Sequence, residues 1–217
     1  MARTAPIQLQ PSRSSPTRTH QDATSAIDAL VEVAGKDGKK VVVGGQSMGA
    51  MFSVVYRASD PPPAVIGKVL TSPGGFLDML PPTAPVLKAI TPSLEKSKSL
   101  EASGKAKEKT RFAEGNVVGE KSVEESYVTT PEVFLSFHDT SRFPSVREAP
   151  TQNKLPVFWA TGTRDPVGNV KRPTFDMMPT NAASAYLEPE ADHNSVMTVV
   201  LPPVIEWLKA RAAEVKG

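Results

Sequence analysis

Cysteine is absent from this 217-residue chain. That excludes disulfides, thiolate chemistry and zinc sites built on sulfur, and it leaves the redox compartment open. Nor does one sign of charge dominate. With 25 Lys and Arg against 23 Asp and Glu, the formal net charge is +2, too weak a field to draw in nucleic acid or an acidic membrane surface. Aromatic residues make up 6% of the chain and are not interleaved with basic ones as stacking platforms for single strands require, so no nucleic-acid partner is expected. Long apolar runs are missing too. None approaches the roughly 20 residues of a membrane helix, and the longest are broken by glycine or proline, so no membrane span is expected.

The apolar share of 39%, with 21 prolines and 14 glycines, describes one modest core joined by many turns, and the length suits a single domain. The opening "MARTAPIQLQPSRSSPTRTH" carries three arginines and no acidic residue. It superficially resembles an organelle transit peptide but lacks the apolar centre of a secretory signal. Residues 1–20 are expected to be a flexible leader or a remnant strand, and the cytoplasm is favoured without being fixed.

Periodicity then lays out the rest. In "QDATSAIDALVEVAG" (21–35), Ile27, Leu30, Val31 and Ala34 recur at helical spacing before a glycine stop. "KKVVVGG" reads as a strand buried on both faces, and "MGAMFSVVYRAS" as an apolar helix closed by "DPPP". Further strands are expected in "AVIGKVLTS" (64–72), "LPVFWATG" (155–162) and "ASAYLEP" (183–189). The last helix, "PPVIEWLKARAAEV", places Val204, Ile205, Trp207 and Leu208 on one face. Strands alternating with helices predict an α/β fold, a mostly parallel sheet with helices on both faces and right-handed connections. Residues 21–75 and 151–217 would form that core. The lysine-, glutamate- and proline-rich stretch 76–150 would be an inserted helical cap, with helical pieces in "SLEKSKSLEASGKAKEKTRFAEG" (93–115) and its charges on a solvated face.

Between the first strand and the helix after it lies Gly45-Gln46-Ser47-Met48-Gly49, a G-x-S-x-G in the strand-to-helix context of a nucleophile elbow. A glycine-rich turn with a capping serine is the plainer alternative. Gly45 and Gly49 are expected to clear space where helix and strand pass closely, and the serine oxygen would emerge at the carboxyl end of the sheet. Met48 N–H would face a developing oxyanion there. Serine needs a base to take its proton. Of the three histidines, His20 falls in the leader and His138 in the cap. His193, in "EPEADHNSV", follows the last strand and emerges at the same sheet end as Ser47. A carboxylate must hold that imidazole in one tautomer. Asp165, in the loop after "VFWA", is preferred to Asp78 in "GGFLDML"; Asp192, adjacent to His193, points away from its neighbour on an extended chain.

Ser47, Asp165 and His193, each following its own strand, resemble in their order the α/β-hydrolase superfamily, with "VVVGGQSMGA", "VFWATGTRDPV" and "ADHNSV" looking like its nucleophile, acid and histidine segments. The resemblance spans residues 20–215 and implies hydrolysis of a carboxylic ester through a serine acyl-enzyme, with no metal or organic cofactor. A small-molecule acyl ester would be the partner. The same residues could serve a thioesterase or amidase, or survive in a binding protein of the same fold. Met48, Phe76 and Leu77 suggest an apolar acyl group. Members of the superfamily usually carry several strands and an oxyanion loop before the helix that precedes the elbow, so this chain looks shortened at its N-terminus. An exposed sheet edge would then invite a second copy to pair.

Overall fold

A computed structural model describes residues 18–74, 77–80, 83–118, 121–142, 146–166 and 171–214. The expected leader or remnant strand lies, up to residue 17, outside the described residues.

The chain opens with α1 (His20–Ala34), then a 3-10 turn (Lys36–Gly38), β1 (Val41–Gln46), α2 (Met48–Val55), β2 (Val65–Thr71) and a second 3-10 turn (Leu77–Met79). There follow α3 (Pro85–Ala102), β3 (Thr110–Val118), β4 (Lys121–Thr129), α4 (Pro131–His138) and α5 (Ala149–Gln152). The last third holds β5 (Val157–Ala160), α6 (Arg172–Phe175), β6 (Ala185–Leu187), α7 (Val196–Val199) and α8 (Leu201–Glu214). β1, β2, β5 and β6 form a parallel sheet in that order, with Gln46 level with Thr71 and Ala160 with both Thr71 and Leu187. All four carboxyl ends therefore share one rim. Among the described residues β1 is an edge strand, with Val43 buried, Gly44 exposed and its other positions half-buried, so the expectation that it is buried on both faces is corrected: an edge strand has a neighbour on one side only.

The fold is α/β, and its layers follow from alternation along the strands. Val157 and Trp159 of β5 join Leu70 and the α2 residues Ala50, Met51 and Val54 on one face. Phe158 and Ala160 point the other way, against Val196, Val200 and Trp207. Buried on both faces, β5 has to be apolar at every position, as "VFWA" is.

Two helix faces differ from the periodic reading. On α1, Val31 is buried and Ile27 packs beside it, but Leu30 is 37% exposed. On α8 the inward stripe runs Val204, Trp207, Leu208 and Arg211, spaced i, i+3, i+4 and i+7, and Ile205 falls outside it. α1 also begins at His20. Thr19 accepts from Asp22 N–H while Asp22 accepts from Thr19 N–H, a reciprocal cap, and His20 is buried with its N–H on Ser136 Oγ. His20 is thus the first residue of a helix, not part of a leader.

The expectation of a helical segment over 93–115 needs correction. α3 stops at Ala102, Gly104 takes φ 79°, and β3 pairs antiparallel with β4, with Val118 opposite Lys121. A glycine at positive φ ends a helix at little cost, and the valine-, threonine- and tyrosine-bearing residues beyond it suit a ladder better than a continued helix. Leu77, Ile90, Phe112 and Phe134 give this stretch a hydrophobic cluster of its own. Part of the charge run is paired: Arg142 grips both Glu101 oxygens, and Lys98 lies 3.3 Å from Asp139.

One buried cation bears on stability. Lys68, in the middle of β2, is 1% exposed, and its Nζ donates to Val54 O and Tyr56 O at the end of α2, both at 3.0 Å. Burial pushes its pKa down to about 7. An unfolded lysine titrates near 10.4, so above pH 7 the unfolded chain keeps a proton that the folded chain has released, and stability rises with pH. Above pH 10 the buried Tyr56, pushed up to about 12 by desolvation and its bond to Asp28, reverses the trend. Urea unfolding is expected to show a gain of roughly 3 kcal/mol between pH 7 and 9.5. The gain should vanish in Lys68→Met.

Candidate active site

The rim shared by the strand ends gathers residues that lie far apart in sequence. Ser47 joins β1 directly to α2 and adopts φ 54°, ψ −123°, a backbone state that costs a non-glycine residue on the order of 1–3 kcal/mol and persists only where its surroundings enforce it. Here they do. Ser47 N–H donates to Thr71 O (3.0 Å), Gly74 N–H donates to Ser47 O (3.1 Å), and the Ala50 and Met51 N–H groups return to the same carbonyl.

A Cβ on Gly45 would lie 2.4 Å from the backbone of Gly49, so helix and strand could not approach as they do. A Cβ on Gly49 would meet nothing within 4 Å. The expectation that both glycines provide clearance is corrected: Gly45 does, and Gly49 faces open space. The first N–H of α2 belongs to Met48 and makes no hydrogen bond among the described residues. It lies at the positive end of the helix.

His193 arrives after β6 on a tightly tied loop. Asp192 Oδ1 accepts from Asn194 N–H, Ser195 N–H and Ser195 Oγ, while Asp192 N–H donates to Ser195 Oγ. These bonds hold the Asp192 carboxyl below the usual range and occupy it with its own turn. The loop after β5 lies alongside: Thr163 N–H donates to Pro189 O and Arg164 N–H to Ala191 O. That contact requires Gly162, where a Cβ would fall 2.1 Å from Ala191 O.

Those ties bring three side chains into line. His193 Nδ1 is 3.0 Å from Asp165 Oδ2, and His193 Nε2 is 3.0 Å from Ser47 Oγ. An ionised carboxylate only accepts, so Nδ1 carries the proton and Nε2 is free to accept from the serine hydroxyl. The Asp165 side chain is fully buried and that of His193 is 6% exposed, so water competes weakly for either bond. Chemically, such a chain can strip a proton from Ser47 and stabilise the imidazolium that results.

The rival residues are engaged elsewhere. Asp78 accepts from Arg147 N–H through its side chain and from Arg147 Nη2 through its carbonyl. His138 Nε2 meets Tyr127 OH and Glu114 Oε2, both at 3.2 Å. Of the apolar residues expected at the pocket, Met48 is 37% exposed, Leu77 is buried in the cluster around Phe134, and Phe76 lies outside the described residues. Gln46 and Gly162 were not singled out by sequence reasoning. Gly162 had a readable signal, a glycine immediately between a strand and a candidate acid; Gln46 had none. Among the described residues no group of three or more His, Asp or Glu side chains could hold a metal ion, and no helix is long and apolar enough to cross a membrane.

Residues 12–196 match the family model of the serine aminopeptidase, S33. The chain belongs to that α/β-hydrolase family. Its fold is shared by a monoacylglycerol lipase of Paleococcus ferrophilus, with a TM-score of 0.62, 18% identity, and coverage of 91% of this chain and 78% of that one. A soluble variant of the monoglyceride lipase of Saccharomyces cerevisiae gives 0.60 at 16% identity, over 93% and 73% of the two chains. A bromoperoxidase of Bacillus anthracis gives 0.57 at 15%, over 90% and 77%. A comparison with curated proteins found no match. At such identities the solved structures establish the fold of this S33-family chain and not its substrate.

Proposed function

We propose that this S33-family hydrolase cleaves carboxylic esters through a serine acyl-enzyme, with Ser47 as nucleophile, His193 as general base and acid, and Asp165 as the group that orients His193. The observation that carries the reading is the unbroken hydrogen-bonded line from Asp165 through His193 to Ser47, ending on a residue held at positive φ beside a helix N-terminus. Ser47 Oγ attacks the acyl carbon while its proton passes to His193 Nε2. The carbonyl oxygen gathers negative charge beside Met48 N–H. His193 then gives that proton to the departing alkoxide, the alcohol leaves, and the acyl group remains on Ser47. Water, deprotonated by the same imidazole, attacks the acyl carbon, the bond to Ser47 Oγ breaks as His193 returns the proton to that oxygen, and the acid is released.

Lipases among the structural neighbours favour an ester over an amide, and the family's aminopeptidase description favours the reverse. Parallel assays separate them. Short-chain nitrophenyl esters are expected to turn over with an initial burst of nitrophenol, equal to the enzyme present, when deacylation is the slow step. Aminoacyl nitroanilides should be cleaved far more slowly. Anilide cleavage without ester turnover would overturn the assignment.

A further inference from the structure

We propose that Gln46 is a positioning residue for His193: its side-chain amide holds the backbone of the histidine loop while the adjacent Ser47 engages the ring. The inference rests on the serine-hydrolase reading above and concerns a residue to which that reading gives no part. Gln46 Nε2 donates to His193 O at 2.7 Å, across 147 positions of sequence. A carbonyl only accepts, which fixes the amide with its nitrogen toward the loop.

The geometry explains why such a tie matters. The Asp192 turn braces the loop against itself, and Arg164 N–H braces it against the segment that carries Asp165. Both supports come from the β5 and β6 side of the sheet. Ser47 comes from β1. The sheet joins β1 to β6 only by way of β2 and β5, and the direct Ser47–His193 bond of 3.0 Å must loosen each time the proton moves and the oxygen becomes acylated. Gln46 supplies a second link from the same two-residue segment, neutral at every working pH and uninvolved in the chemistry. Residues 46 and 47 thereby hold residue 193 at two points, backbone and ring. A misplacement of about 1 Å at a reacting group can cost on the order of a hundredfold in rate.

Gln46→Leu keeps the bulk and removes the donor. A fall in kcat of roughly 10- to 100-fold is expected with KM nearly unchanged, together with an equal fall in the rate of labelling by a fluorophosphonate, since both reactions draw on His193 as base. Gln46→Glu supplies a finer readout and a safeguard should the leucine variant fold poorly. Its carboxyl donates to His193 O when protonated and repels that oxygen when ionised, so its activity relative to the unaltered protein should decline as pH rises. His193, Asp165 and Asp192 of the neighbouring loops titrate in both proteins, and the new carboxylate also acts on the His193 ring, so the uncharged Gln46→Leu variant isolates the loss of the tie. Equal labelling rates for the unaltered and Gln46→Leu proteins, or a pH-independent ratio for Gln46→Glu, would overturn the inference while leaving the serine-hydrolase reading intact. An unaltered protein that is folded and takes no label would overturn both.

Discussion

Ser47→Ala is expected to lower ester turnover by roughly a million-fold, to the limit set by whatever stabilisation the remaining groups give to direct attack by water. The size of the effect follows from the proposed mechanism, in which the three groups act as one unit. His193 has no proton to take once the hydroxyl is gone, and Asp165 then orients an idle imidazole. His193→Ala should fall by a similar factor for the complementary reason, and Ser47→Ala, His193→Ala and the double variant should be about equally inactive. Additive losses would mean that the two residues contribute independently. Ser47→Ala also relieves little backbone strain, because alanine at φ 54° is no easier than serine. The melting temperature should therefore change little, and circular dichroism can verify that lost activity is not lost fold.

Asp165→Asn carries the second largest expected effect, a loss on the order of ten-thousandfold near neutral pH with the fold retained. The replacement is almost isosteric. Its consequence is electronic and tautomeric: the Asp165 Oδ2 acceptor lies 3.0 Å from His193 Nδ1 in a side chain with no solvent exposure. An amide in that position can present N–H to Nδ1, which places the imidazole proton on Nε2. A protonated Nε2 cannot accept from Ser47 Oγ. Nitrogen chemical shifts of the His193 ring should show the tautomer exchange directly, alongside steady-state rates. Asp78→Asn, whose partner is Arg147, should leave both measurements unchanged.

The parts of this molecule that were legible in sequence are those where one physical requirement admits few residues. β5 is buried at every position, and the continuous apolar run "VFWA" answers to that; "VVV" marks a strand as well, although β1 is only partly buried. The positions of Ser47, directly after β1, and of Asp165 and His193, in the loops after β5 and β6, could be read because parallel strands deliver all their carboxyl ends to the same rim. The pairing of β3 with β4 was obscured by lysines and glutamates that suit a helix as well as a solvated strand. Gly104 as a helix stop and a further glycine at 119, within a run of strand-forming residues, were the available signals. Thr-x-x-Asp at 19–22 is a readable helix start, and the reciprocal cap between Thr19 and Asp22 puts His20 in α1 rather than in the leader. The four-residue helices α5, α6 and α7 are shorter than any period that sequence can display. The Gln46 contact joins two residues with no local relation, and packing alone creates it.

The central requirement is an activated serine at residue 47. Treating the folded protein with a fluorophosphonate, digesting it and mapping the adduct by mass spectrometry addresses that requirement most directly. A single phosphonyl adduct on Ser47, absent from His193→Ala, is the expected outcome. A folded protein that takes no adduct at Ser47, or takes it equally well without His193, would contradict the proposed chemistry.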